Sequence, residues 1–332
     1  MTLPASGQLS MSDINTELGN SSTSQITLND TKVRTLLQRT PDISEIGMNA
    51  AYGKEFYYII YVLVVGGGGA GGAGRRDRSG GAGSGGGGGG HSVGAIRVKK
   101  TNFSGSIIVG NGGKPDFSFE AQDGFAGYSS QLSISSDAQT ITIASGGGGG
   151  GGGNRRQGGA GGTGINGPGA AGGGTASAGG TKFASAGGGG GGADDRTHGQ
   201  YNKGGDGVLW PYDNTYYSGG GGGGGDGGDG GYNGGAGGGG SGKSSTTGAQ
   251  GSDYTGGGGG GGASWGNDSW NFGGRGGSGL VKIMYSASYG VLFRIDTGAT
   301  TLQDANWITH LAYITDHATR TQESKTIVWV GS

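Results

Sequence analysis

The chain has 332 residues, 93 of them glycine, roughly four times the usual share of about 7%; glycine loses the most backbone entropy on folding and brings no side chain to bury. Five prolines without a Gly-X-Y period argue against a collagen triple helix, and the absence of cysteine excludes a disulfide framework and zinc-thiolate centres. A formal net charge of −1 with dispersed Lys and Arg removes the long-range attraction that drives binding to nucleic acid or anionic membranes, so neither partner is expected.

Met1 to Ser10 lacks the basic and apolar regions of a signal peptide. The most apolar run, Phe56 to Val65, is shorter than the roughly 20 residues of a membrane-spanning helix, so no membrane insertion is expected. The chain reads as soluble and not classically secreted.

The first 50 residues are polar and poor in glycine, and they carry two helix signatures. In the first, Ser12 is the expected cap, Asp13 suits the positive end of the helix dipole and Gly19 closes the helix. In the second, Asn29 or Thr27 is the cap, with Val33, Leu36 and Leu37 on one face. Helices this short are marginal alone, so the segment is expected to fold against another surface. The string Leu3 to Asn15, with Ser24-Gln25-Ile26-Thr27-Leu28-Asn29-Asp30 downstream, resembles a leader segment of phage tail and virion structural proteins, and it covers about a tenth of the chain.

From about Tyr57 to Tyr285, strand-like runs alternate with glycine tracts. Tyr61-Val62-Leu63-Val64-Val65 runs into Gly66 to Gly69, and Thr140 to Ala144 runs into Gly146 to Gly153. Further tracts are Gly85 to Gly90, Gly187 to Gly192, Gly219 to Gly225, Gly237 to Gly240 and Gly256 to Gly262. Leu280 to Tyr285 alternates and is β-branched enough for a strand, and Leu132-Ser133-Ile134 with Ile141-Thr142-Ile143 flank a hairpin turn at Ser136-Asp137-Ala138. Tracts of similar length between dissimilar inserts do not suit a flexible linker. A left-handed helix of polyproline II type, rising about 3.1 Å per residue, lets glycine backbones pack laterally, and it is the expected form of the tracts. The expected fold class is therefore mostly β and irregular: short N-terminal helices, a packed polyglycine II helix bundle with short β-strands, and a small β-rich C-terminal extension. The expected units are 1–50 for virion attachment or assembly, 51–285 for the glycine-rich domain and 286–332 for the extension.

With Val64-Val65-Gly66-Gly67-Gly68-Gly69 and tracts separated by dissimilar inserts, this part resembles the glycine-rich tip adhesins of long tail fibres in T-even-like phages. The helical leader and the tail after Tyr285 depart from that pattern. The resemblance implies a virion protein of the tail fibre, assembled in the bacterial cytoplasm. Its implied partners are a host outer-membrane protein or surface glycan and other virion proteins, and a homotrimer is the usual fibre assembly.

Loops on a stiff scaffold commonly carry recognition, and a bundle sends its inserts out at its ends. The inserts contain Arg75, Arg76 and Arg78; Arg155 and Arg156; Asp195, Arg196 and Tyr201; Trp210, Tyr212, Tyr216 and Tyr217; and Trp265, Trp270 and Phe272. Rings for contact area beside polar groups for hydrogen bonds resemble a paratope, and they also suit stacking on sugars. The plainer alternative makes the rings plugs over the tract ends and the arginines solvated loops.

Gly237 to Ser244 fits the phosphate-loop pattern letter by letter, but that loop needs a hydrophobic strand before it and a helix after it, and glycine and polar residues stand in both places. His91, His198, His310 and His317 are scattered, and no cofactor, metal or catalytic residue is expected. A glycan-cleaving site would need two carboxylates about 5–10 Å apart, for which Asp226 with Asp229 or Asp194 with Asp195 are candidate pairs. The expectation is a non-enzymatic receptor-binding protein, with a structural fibre spacer as the alternative and an ice-binding face disfavoured by the bulky inserts.

Overall fold

The structure, a computed structural model, describes residues 3, 10–27, 30–36, 57–74, 82–99, 104–117, 123–136, 139–148, 151, 164–165, 203–225, 231–263, 271–287, 292–296, 299–304, 306–317 and 321–329. Helix α1 spans Met11–Leu18 and is capped by Ser10, not Ser12. The Asp13 N–H donates to the Ser10 hydroxyl at 3.2 Å and the Ser10 N–H donates to the Asp13 carboxylate at 2.7 Å, which satisfies two orphan donors reciprocally. Gly19 ends the helix at φ 77°, a conformation a Cβ disfavours. Ile14 and Leu18 join Val33 and Leu36 of α2 (Thr31–Leu36) in the main core, so both helices rest on a larger apolar surface.

The strands are β1 (Tyr57–Val65), β2 (His91–Lys99), β3 (Ser104–Gly110), β4 (Ser130–Ser136), β5 (Gln139–Ser145), β6 (Gly164–Ile165), β7 (Val208–Trp210), β8 (Thr215–Tyr217), β9 (Leu280–Ser286), β10 (Phe293–Ile295), β11 (Ala299–Gln303), β12 (Trp307–Ala312) and β13 (Gln322–Trp329). They form a five-stranded sheet in the order β11-β12-β9-β1-β2, a six-stranded sheet in the order β10-β13-β3-β4-β5-β6, and the hairpin β7-β8. The expected hairpin is present, with Ile134 opposite Ile141 across β4 and β5.

Strand β1 explains how the two large sheets meet. Tyr58, Ile60, Val62 and Val64 face a core shared with Ile107, Leu132, Ile134 and Ile327 of the other sheet, as period-two alternation requires. Leu63 and Val65 face the opposite way into a second cluster with Trp210, Tyr217, Leu280 and Met284. The end of β1 is covered on both faces, which is why its sequence is a continuous apolar run.

The packed bundle of polyglycine II helices is overturned as the fold class. Regular structure among the described residues is three antiparallel sheets, α-helix is confined to the two short N-terminal segments, and no helical bundle is present. After Ser286, strand β12 pairs with β9 and strand β13 with β3, so these strands add to both large sheets. The reason is energetic. Burying apolar side-chain area gives roughly 25 cal/mol per Å², the tracts carry none, and the β-branched and aromatic runs between them therefore set the architecture.

The tracts answer for their own backbone polar groups by bonding to one another. Along 66–74 the partners rotate: Gly66, Gly69 and Gly72 donate to Gly90, Gly87 and Ser84, Gly67 and Ala70 to Tyr128 and Phe125, and Gly68, Gly71 and Gly74 to Gly277, Gly274 and Asn271, all at 2.8–2.9 Å. One buried segment thus sits among three others, and these N–H groups are satisfied without a helix or a strand. A Cβ on Gly71 would stand 2.1 Å from the Gly260 carbonyl oxygen.

Candidate functional site

The hairpin β7-β8 lies over the outer face of the five-stranded sheet. Its loop is Pro211-Tyr212-Asp213-Asn214, with proline where φ near −65° suits a turn start and Asn214 at φ 53° in the left-handed region that Asn tolerates. The Asp213 carboxylate accepts from the Thr215 N–H at 3.0 Å and from the Tyr217 hydroxyl at 2.8 Å. Beneath it Lys282, on the same face of β9 as Leu280 and Met284, donates to Asp213 and, at 2.8 Å, to the Tyr217 hydroxyl. The ammonium also stands 4.9 Å from the Trp210 ring centroid and 5.3 Å from that of Tyr217, within cation–π range. Burial raises the Tyr217 pKa, and the hydrogen bond to Asp213 adds to the rise, so this hydroxyl is a neutral donor.

This base divides the hairpin's four rings in two. Trp210 and Tyr217 are 2% and 5% exposed and belong to the second apolar cluster, whereas Tyr212 and Tyr216 are 45% and 44% exposed. Tyr212 packs on Tyr61 at 4.7 Å and lies 6.3 Å from Trp307, which meets Tyr61 edge-on at 5.9 Å. A ring platform drawn from β1, β12 and the hairpin results, with exposed Leu209 nearby in β7. Burial raises the Tyr212 pKa, with a smaller contribution from Tyr61.

The expected exit of this insert at the end of a bundle is not what the hairpin does; its apolar edge is drawn onto the sheet by Leu63, Val65, Leu280 and Met284. Phe272 is half-buried and meets exposed Phe117 edge-on at 4.8 Å. Arg75, Arg76, Arg78, Arg155, Arg156, Asp195, Arg196, Tyr201, Trp265 and Trp270 lie outside the described residues, as do the carboxylate pairs Asp226 with Asp229 and Asp194 with Asp195. Gly237 to Ser244 has a tract segment before it and a bend after it, with no adjoining strand or helix.

The described residues that bracket three inserts meet one another. Gly74 donates to Asn271 at 2.9 Å, Gly83 to Gly262 at 2.8 Å, Gly224 to Gly83 at 2.9 Å, Gly225 to Lys243 at 2.9 Å and Ala263 to Thr246 at 3.2 Å. The chain positions that open and close 75–81, 226–230 and 264–270 are therefore gathered at one end of the tract assembly. Sequence reasoning missed Lys282, Tyr61 and Trp307. Lysine within Leu280 to Tyr285 gives no local sign of burial, and only the pairing of β1, β9 and β12 brings these residues under the hairpin.

No curated protein matches the chain. A family described as a glycine-rich domain matches residues 53–286, a span that takes in β1 through β9 and all the tracts between them. That span is more than half of the 332 residues, and the chain belongs to the glycine-rich domain family.

Proposed function

We propose that this chain is a non-enzymatic adhesin of a phage tail fibre, which attaches the virion to a host outer-membrane protein or surface glycan. The observation that carries the reading is the division of the hairpin's rings: Tyr212 and Tyr216 face solvent while Trp210, Tyr217 and Lys282 fix the hairpin from beneath. Large rings held in place lose little freedom on binding, which is how aromatic residues become energetic anchors in recognition surfaces. The meeting of Gly74 with Asn271 and of Gly83 with Gly262 adds a second support, because these described residues flank two inserts whose sequence is rich in arginine and tryptophan. The leader resemblance supports a virion location, and other fibre proteins are the assembly partners.

The test is adsorption of virions that carry Tyr212→Ala with Tyr216→Ala. Lost adsorption on intact fibres supports the adhesin, fibres that fail to assemble favour a structural spacer, and unchanged adsorption removes the hairpin from the binding surface.

A further inference from the structure

The five-stranded sheet ends at β11, and the hydrogen bonds beside that strand fix which of its backbone groups face outward. In an antiparallel pair, facing residues alternate between those that exchange hydrogen bonds and those that do not. The Asp304 N–H donates to the Trp307 carbonyl at 2.9 Å, so the bonded pairs of β11 with β12 are Leu302 with Thr309 and Thr300 with Leu311. The far side of β12 agrees. There the Ala287 N–H donates to the Asn306 carbonyl at 2.8 Å, which commits Ile308, His310 and Ala312 to β9 and leaves Thr309 and Leu311 for β11. Ala299, Thr301 and Gln303 therefore direct their N–H and C=O groups away from β12, along the edge of the sheet.

Thr300, Thr301, Leu302 and Gln303 are exposed in succession, Leu302 at 54%, and among the described residues no strand lies beyond them. An unpaired edge templates the addition of another strand, and sheets usually blunt it with charge, proline or a bulge. Ala299-Thr300-Thr301-Leu302-Gln303 contains neither charge nor proline, and its register with β12 is unbroken. The strand is also held in place from behind. The Thr301 hydroxyl meets His310 Nδ1 at 2.9 Å and the Thr300 hydroxyl meets the Tyr313 hydroxyl at 3.2 Å, so little freedom is left to lose on pairing.

We infer that β11 pairs with β11 of a second copy of this chain, antiparallel and about a two-fold axis at Thr301. The strand is its own complement. With Thr301 opposite its mate and Ala299 opposite Gln303, each facing pair exchanges both of its N–H···O=C bonds. Leu302 then stands across from Thr300 and diagonally beside the other Leu302, on the face that carries Leu311 and Trp307. A charged strand finds no counter-charge on β11, whereas β11 itself brings no like charges together: the Asp304 carboxylates of the two copies stand roughly 20 Å apart along the strands. The contact is isologous and closes at two copies, which departs from the homotrimer that the tail-fibre resemblance implies. It is read without host cells and stands apart from the adhesion reading.

Sedimentation velocity of the purified full chain, from about 1 µM to about 500 µM, tests the pairing. The mass is expected to rise from one copy to two with a Kd of about 100 µM or tighter, as suits a small interface. Leu302→Lys sets like charges side by side across the joint, and Gln303→Pro removes an N–H that points outward. Each is expected to weaken pairing at least about tenfold. Cysteine placement reads the register, because the native chain has none. Under mild oxidation Thr301→Cys is expected to give a disulfide-linked dimer, its mate standing about 5.5 Å away between Cα atoms. Gln303→Cys is expected to stay a single chain, its mate roughly 13 Å away along the strands. A single-copy mass across the whole range overturns the inference. So does an assembly that both edge variants leave intact, or crosslinking of Gln303→Cys as fast as that of Thr301→Cys.

Discussion

The Lys282 ammonium donates to the Tyr217 hydroxyl at 2.8 Å and also to the Asp213 carboxylate, under a hairpin whose other side is open to solvent. The two ends of this arrangement are not energetically alike. Removing Asp213 leaves a buried cation short of its counter-charge, whereas removing the cation leaves a carboxylate that water reaches. Asp213→Ala is expected to cost about 1–3 kcal/mol, less than a fully buried pair because the carboxylate is partly exposed. Lys282→Met places an apolar chain between Leu280 and Met284 and is expected to change stability by less than about 1 kcal/mol. Urea unfolding of both variants checks the asymmetry.

The tract contacts make a position-specific forecast. Gly71→Ala drives a Cβ to 2.1 Å from the Gly260 carbonyl oxygen, a backbone atom that cannot swing aside. Gly94→Ala, in strand β2, meets nothing closer than Val62 Cγ2 at 4.0 Å. The first substitution is expected to cost about 3 kcal/mol or more, and the second to be neutral or slightly stabilising through the unfolded chain. Thermal unfolding of the two single variants reads the contrast, and equal effects would contradict the packing.

Stability is expected to fall in acid in two stages. Burial lowers the His310 pKa from 6.5 to about 4, and the neutral ring is held between the Tyr285 hydroxyl and the Thr301 hydroxyl, each at 2.9 Å. Between those pH values the unfolded chain binds the proton and the folded chain does not. Stability is therefore complete above pH 6.5 and falls by about 3 kcal/mol as the pH drops to 4. Glu323 gives the second stage. Burial pushes its carboxyl up, but hydrogen bonds from Lys325 and from the Thr315 N–H and hydroxyl, with the Lys325 charge, outweigh burial and hold it at about 2. Its contribution is present above about pH 4.5 and is lost as the pH falls toward 2. Urea midpoints from pH 8 to pH 3 test both stages, and His310→Gln is expected to flatten the slope between pH 6.5 and 4.

What could be read beforehand divides by the range of the interaction. The β1 and β9 strands and the β4-β5 hairpin were legible because their apolar runs and turn residues are local signals. The cap of α1 was misplaced by two residues because Ser10 and Ser12 both precede the first apolar position, and only Ser10 stands three residues before Asp13. The tracts signalled close backbone packing, but glycine has no side chain with which to define a core, so the fold class followed the strands instead. The hairpin's buried base joined residues far apart in sequence, such as Asp213 with Lys282, and no local spacing announces such a meeting.

Exposed Tyr212 and Tyr216 separate binding from folding. Substituting both by alanine removes the Tyr212 ring contacts with Tyr61 and Trp307 and is expected to cost about 1–2 kcal/mol while leaving the chain folded. If these rings anchor a receptor, the loss of host-cell binding is at least about tenfold. A flow-cytometric binding curve beside a melting curve of the same protein checks the pair of expectations.

Adsorption competition with the purified full chain tests attachment most directly: host cells are incubated with the protein, phage are added, and unadsorbed particles are counted. The adhesin reading expects the folded protein to coat the cells and leave most particles unadsorbed in a dose-dependent way. A folded chain that neither binds the cells nor reduces adsorption contradicts it and leaves the structural spacer as the better account.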